Sequence, residues 1–165
     1  MSSPGFTLRQ QLQEGREPFL FSWMSVASPQ LAGQIARFPF DGVCIDMQHG
    51  MIGFSEAAAM VGAIHAVGKP AIVRVLWNEP GLAGQVLDAG VSAVIAPMVN
   101  SQKEAEALVR ATKYPPVGGR SWGGYGMVQA AGSSTRTLCT SSVLPRLESA
   151  SSFFQRSRAM ASTMM

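Results

Sequence analysis

Short apolar runs alternate with longer stretches in which apolar positions recur at helical spacing, from residue 19 to about residue 114. The runs "FLFSWMSV" (19–26), "DGVCIDM" (41–47), "KPAIVRV" (69–75) and "SAVIAPMV" (92–99) predict buried strands. Between them, "PQLAGQIARF" (29–38), "FSEAAAMVGAIHAVG" (54–68), "NEPGLAGQVLDAG" (78–90) and "SQKEAEALVRATKY" (101–114) predict amphipathic helices. Start and stop signals agree with this division. Ser28 before Pro29, Asn78, and the Ser101/Glu104 capping box mark helix starts, while Gly68 and Gly90 mark ends. A further helix is expected over residues 7–14, stopped by Gly15. Strand starts at 19, 41, 70 and 93 repeat about every 22 to 29 residues, the signature of consecutive βα units on a parallel sheet.

The pattern fades after Tyr114. "PPVGGRSWGGYG" (115–126) reads as a glycine- and proline-rich loop. From Ser133 onward the composition changes, with nine serines and one acidic residue, Glu148, in 33 positions. Neither period 2 nor period 3.6 persists there, so no element is assigned. The expected organisation is a βα domain over 1–132 followed by a serine-rich tail over 133–165.

Composition narrows the class without adding chemistry. A chain of 165 residues with 47% hydrophobic and 14% charged residues has the makeup of one core-rich globular domain. The net charge of +3 comes from scattered lysines and arginines, which excludes a concentrated nucleic-acid or membrane surface. Cys44 and Cys139 make no disulfide framework, and Cys44 reads as a small buried hydrophobe. With no apolar segment at the N-terminus and no run near the ~20 residues of a membrane span, the expected location is the reducing cytoplasm.

Parallel sheets hold ligands at the carboxyl ends of their strands. Asp46 and His49 stand at such an end in "FDGVCIDMQHG", and Arg74 stands near the end of the next strand. Imidazole suits proton transfer because its ordinary pKa is about 6.5. A guanidinium inside "AIVRV" needs an anionic partner, which a substrate carboxylate or a structural ion pair supplies. His65 reads as structural, a partly cationic ring suited to a helix C-terminus. "GGRSWGG" (118–124) lacks the lysine and context of a P-loop, so it reads as a loop shaping a pocket and not as a phosphate cradle.

The stretches "FDGVCIDMQHG", "AIVRVLWNEPG" and "IAPMVNSQKEAEALVRATKYPPVGGR", in this order, resemble the HpcH/HpaI aldolase family, the class II pyruvate aldolases built on a (β/α)8 barrel. The likeness runs from about residue 19 to 132. It implies cleavage of a 4-hydroxy-2-oxo acid to pyruvate or a related 2-oxo acid and an aldehyde, in a homo-oligomer using a divalent metal (Mg, Mn or Co). It implies His49 as the acid/base, Asp46 as the carboxylate fixing that ring's tautomer, and Arg74 as the catalytic and substrate-binding group on the keto oxygen and enolate.

Departures from the family pattern shape the expectation. "VLPRLESAS" (143–151) is locally similar to the family's glutamate strand but places Glu148 early, and the aspartate ligand's "G-x-D-G" surroundings are absent. No metal ligand is therefore assigned. The expected fold is α/β, a partial (β/α)8 barrel with about four βα units and its C-terminal half missing or replaced. A shifted reading frame or splice junction would give such a tail. The rival readings are a non-catalytic truncated fragment and a related lyase acting on an acyl-CoA or a dicarboxylate.

Overall fold

The structure is a computed structural model and describes Leu8, Leu12, Glu14 and residues 18–123. Four βα units follow one another: β1 (Phe21–Met24), α1 (Pro29–Ile35), β2 (Gly42–Asp46), α2 (Phe54–His65), β3 (Ala71–Arg74), α3 (Pro80–Asp88), β4 (Ala93–Ile95) and α4 (Gln102–Thr112). The strands form one parallel sheet in the order β1-β2-β3-β4. Every expected strand and helix in this span is present, each shorter than its apolar pattern, because apolar residues continue into the loops. The helix expected over 7–14 lies largely outside the described residues, although Leu8 and Leu12 are helical.

Period 2 separates the two faces of the sheet. Met24, Val43, Ile45, Ala71 and Val73 point to the helices and join Met60, Val61 and Ile64 of α2 in the main core. Complete burial of such side chains is worth about 1.5–3 kcal/mol each. The opposite face carries a smaller cluster in which Leu8 covers Cys44 and Ile72, with Phe19, Phe21 and Ala93 alongside. Cys44 is a buried thiol, and its burial, reinforced by the Asp46 charge, pushes its pKa up to about 12. It therefore acts as a small hydrophobe.

Helix ends follow local chemistry, with one correction. The Ser28 hydroxyl accepts from Leu31 N–H, and Ser101 and Glu104 form the reciprocal capping box. The cap of α3 is Glu79 rather than Asn78: its carboxylate accepts from the N–H groups of Gly81 and Leu82. A longer side chain one residue later reaches the same orphan donors, which the residue-type ranking for caps passes over. Gly68 and Gly90 terminate α2 and α3 with φ of 78° and 92°.

A second correction concerns His65. Its ring lies at the end of α2 with Nε2 buried and without a hydrogen-bond partner among the described residues, and burial lowers its pKa. Desolvation disfavours the charged form, so the ring is held neutral instead of partly cationic.

Candidate functional site

Asp46, Arg74 and Ile95 are register partners across β2, β3 and β4, at the carboxyl edge of the sheet. The row beneath them is Trp23, Cys44, Ile72 and Ala93. Alternation thus sends Asp46 and Arg74 to the face away from the helices, above an apolar floor.

Asp46 is 2% exposed, and five donors converge on its carboxylate. Arg74 gives a forked pair, Nε to Oδ1 at 2.9 Å and Nη2 to Oδ2 at 2.5 Å. The Trp23 indole N–H reaches Oδ2 at 3.2 Å. The backbone N–H groups of Gln48 and His49 reach Oδ1 at 3.0 and 3.2 Å. The Arg74 guanidinium holds the Asp46 carboxyl well below the usual carboxylate range against the opposing effect of burial, and the indole and two backbone N–H groups assist. The Asp46 charge in turn raises the Arg74 pKa. Arg74 also lies over the Trp23 ring, 4.9 Å from its centroid. Two of its nitrogens are committed to Asp46, leaving Nη1 without a hydrogen bond among the described residues.

The two backbone bonds to Oδ1 fold residues 46–49 into an aspartate-anchored turn. Gly50 completes it under tight constraint, since a Cβ there would stand 2.2 Å from the Asp46 carbonyl oxygen. Met51 then donates to Ser25 O and pairs with Val26, tying the turn to the chain after β1. His49 is presented at the exposed rim. Here the geometry corrects one expectation: the Asp46 carboxylate holds His49 by its backbone N–H and not by its ring. With Arg74 and Trp23 occupying the remaining acceptor positions, the carboxylate sets where the imidazole starts and leaves its tautomer to other partners.

Sequence reasoning brought Asp46, His49 and Arg74 to one rim and passed over Trp23, whose signal was its place in the β1 register opposite Cys44. It also passed over a second ion pair. Arg120, inside the glycine-rich loop, is buried and donates to Asp88 Oδ1 at 2.5 Å with its guanidinium 4.8 Å from the Tyr114 ring centroid. Gly118 sits where a Cβ would meet the Arg110 and Lys113 carbonyl oxygens at 2.3 Å. This loop is fastened to α3 and α4, and its arginine serves an internal carboxylate.

The divalent metal implied by the resemblance finds no ligand set among the described residues. Among the described residues no group of three or more His, Cys, Asp or Glu side chains is placed to hold a metal ion. The Asp46 oxygens are already filled by five donors, two of them from the cationic Arg74 guanidinium. Glu148 lies outside the described residues. Among the described residues, moreover, no helix is long and apolar enough to cross a membrane.

Consecutive parallel βα units carrying their charged cluster at the carboxyl edge define an α/β chain of the barrel-forming class. The comparisons carry this further: the chain belongs to the HpcH/HpaI aldolase/citrate lyase family, whose model matches residues 20–163. The matched segment continues past residue 132 into the serine-rich stretch. The hydroxypyruvate/pyruvate aldolase of Rhizorhabdus wittichii is 43% identical over 110 residues, covering 67% of this chain and 43% of that protein. The 4-hydroxy-2-oxovalerate aldolase of Novosphingobium aromaticivorans is 34% identical over 134 residues, covering 76% of this chain and 51% of that protein. The crystal structure of an HpcH/HpaI aldolase/citrate lyase family protein from Burkholderia cenocepacia superposes with a TM-score of 0.71 at 34% identity, over 81% of this chain and 55% of that one. The chain spans about half the length of the curated relatives it matches.

Proposed function

We propose that the chain carries the 2-oxo-acid-binding and proton-transfer part of an aldolase that cleaves a 4-hydroxy-2-oxo acid to pyruvate or a related 2-oxo acid and an aldehyde. The observation that carries this reading is the Asp46–Arg74 pair at the carboxyl edge, with Arg74 Nη1 uncommitted among the described residues and the exposed His49 on the turn that the same carboxylate anchors. Arg74 Nη1 binds the keto oxygen, and its charge favours the enolate that develops there. His49 takes the proton of the C4 hydroxyl as the C3–C4 bond breaks; the bonding electrons pass to the enolate and the aldehyde carbonyl forms. A proton then adds at C3 to give the free 2-oxo acid. A divalent metal in the same reading would supply Lewis-acid stabilisation of the enolate, and its ligands would have to come from outside the described residues.

A second reading is favoured by the absence of a metal-holding group among the described residues. In it the chain is non-catalytic alone. One experiment decides between the two: pyruvate release from a 4-hydroxy-2-oxo acid, followed with added Mg, Mn or Co and then EDTA. The aldolase reading expects metal-dependent release that His49→Ala slows by about 10²- to 10⁴-fold while pyruvate binding changes little. Arg74→Ala is expected to lose both cleavage and the enolisation of pyruvate. Equal, small effects in both variants would place the site elsewhere, and no release by the unaltered chain would favour the non-catalytic reading.

A further inference from the structure

Trp23 stands apart from the rest of β1. It is 49% exposed, so hydrophobic burial alone does not account for a tryptophan there. Its two polar features are nevertheless both used. The indole N–H donates to Asp46 Oδ2, the oxygen that also receives Arg74 Nη2, and the ring face lies 4.9 Å from the guanidinium carbon. Asp46 is on β2, between Trp23 on β1 and Arg74 on β3. The guanidinium therefore reaches across the central strand and is fixed in two ways, by the forked carboxylate and by the indole face.

We infer that Trp23 is a positioning residue, which holds the Arg74 guanidinium and the Asp46 carboxylate so that Arg74 Nη1 faces the 2-oxo acid. The inference rests on the aldolase reading for its ligand, and on the hydrogen bond and ring contact for its mechanism. A guanidinium without its ring support has more rotamers, and binding must then immobilise it at an entropic cost. Asp46 without the indole donor keeps its backbone and arginine partners, so the loss is graded.

Two variants separate the contributions. Trp23→Phe keeps the ring and removes the N–H, whereas Trp23→Leu removes both. Pyruvate titrated into the full chain should bind Trp23→Phe about threefold more weakly and Trp23→Leu roughly tenfold more weakly, in line with the range for a partly exposed cation–π contact. Far-UV circular dichroism checks folding, and if Trp23→Leu fails to fold, the Phe variant carries the test. Pyruvate affinity in a folded variant is the readout that a merely structural role would not move; the second readout, the indole ¹H–¹⁵N cross-peak of Trp23, identified by its absence in Trp23→Phe, reports the hydrogen bond to Asp46 itself. That peak should shift in Asp46→Asn. A cross-peak indifferent to Asp46→Asn, or wild-type pyruvate affinity in the Phe and Leu variants, overturns the inference. If the unaltered chain binds no pyruvate, the aldolase reading fails, and the cross-peak alone then decides whether Trp23 holds the pair.

Discussion

Replacing Asp46 by asparagine removes a charge while keeping the shape of the side chain. The amide oxygen can still accept from Gln48 and His49 N–H, so the turn has a reason to survive. The amide NH₂ then faces Arg74 Nη2 and the Trp23 indole N–H, donor against donors, at positions now occupied by contacts of 2.5 and 3.2 Å. The Arg74 side chain is 22% exposed and would lose its counter-ion. Breaking a buried pair from one side typically costs about 3–5 kcal/mol, and partial exposure puts this case near ~3 kcal/mol. For a chain of this size that corresponds to a fall in Tm of roughly 6–12 °C. The double variant Asp46→Asn/Arg74→Met, which removes the stranded cation as well, should recover a large part of the loss. Thermal melts of the chain, both single variants and the double variant complete the cycle. The pH dependence has a definite sign: because the folded pKa is depressed, the pairing stabilises the fold fully above the unfolded value of about 3.9 and is lost as pH falls below it. Asp46→Asn should therefore lose less stability than the unaltered chain below about pH 4. A Tm change under about 2 °C, or a double variant as unstable as the sum of the singles, would refute the reasoning.

Further outcomes are expected elsewhere in the fold. Burial lowers the His65 pKa, so the folded state binds fewer protons there, and its contribution to stability falls as pH drops below about 6.5. Urea midpoints at pH 7.5 and 5.5 should differ less in His65→Leu than in the unaltered chain; an equal difference would remove His65 from the account. Glu79→Ala should cost about 0.5–2 kcal/mol through loss of the α3 cap, and Asn78→Ala markedly less. The reverse order in chemical denaturation would restore Asn78 as the cap.

The order of elements was legible in the sequence because its signals are local. Strand β2 announces itself by the apolar run Val43–Ile45, and α4 by the Ser101/Glu104 box, which involves only residues three positions apart. The carboxyl-edge rule put Asp46 and Arg74 together, since in-register parallel strands bring equivalent ends to one rim. Contacts between residues distant in sequence were not legible. Trp23 and Asp46 are separated by 23 residues, Arg74 and Asp46 by 28, and Arg120 and Asp88 by 32, so their pairing depends on register and helix packing. For the same reason the sequence left Arg74 with two candidate partners, a substrate carboxylate or an internal ion pair. The fold brings it to Asp46 with two nitrogens while leaving Nη1 uncommitted. His65 shows the limit from the other side. Its place at a helix end is written in the sequence and favours a cation, but only tertiary packing determines how much water the ring keeps, and burial lowers its pKa.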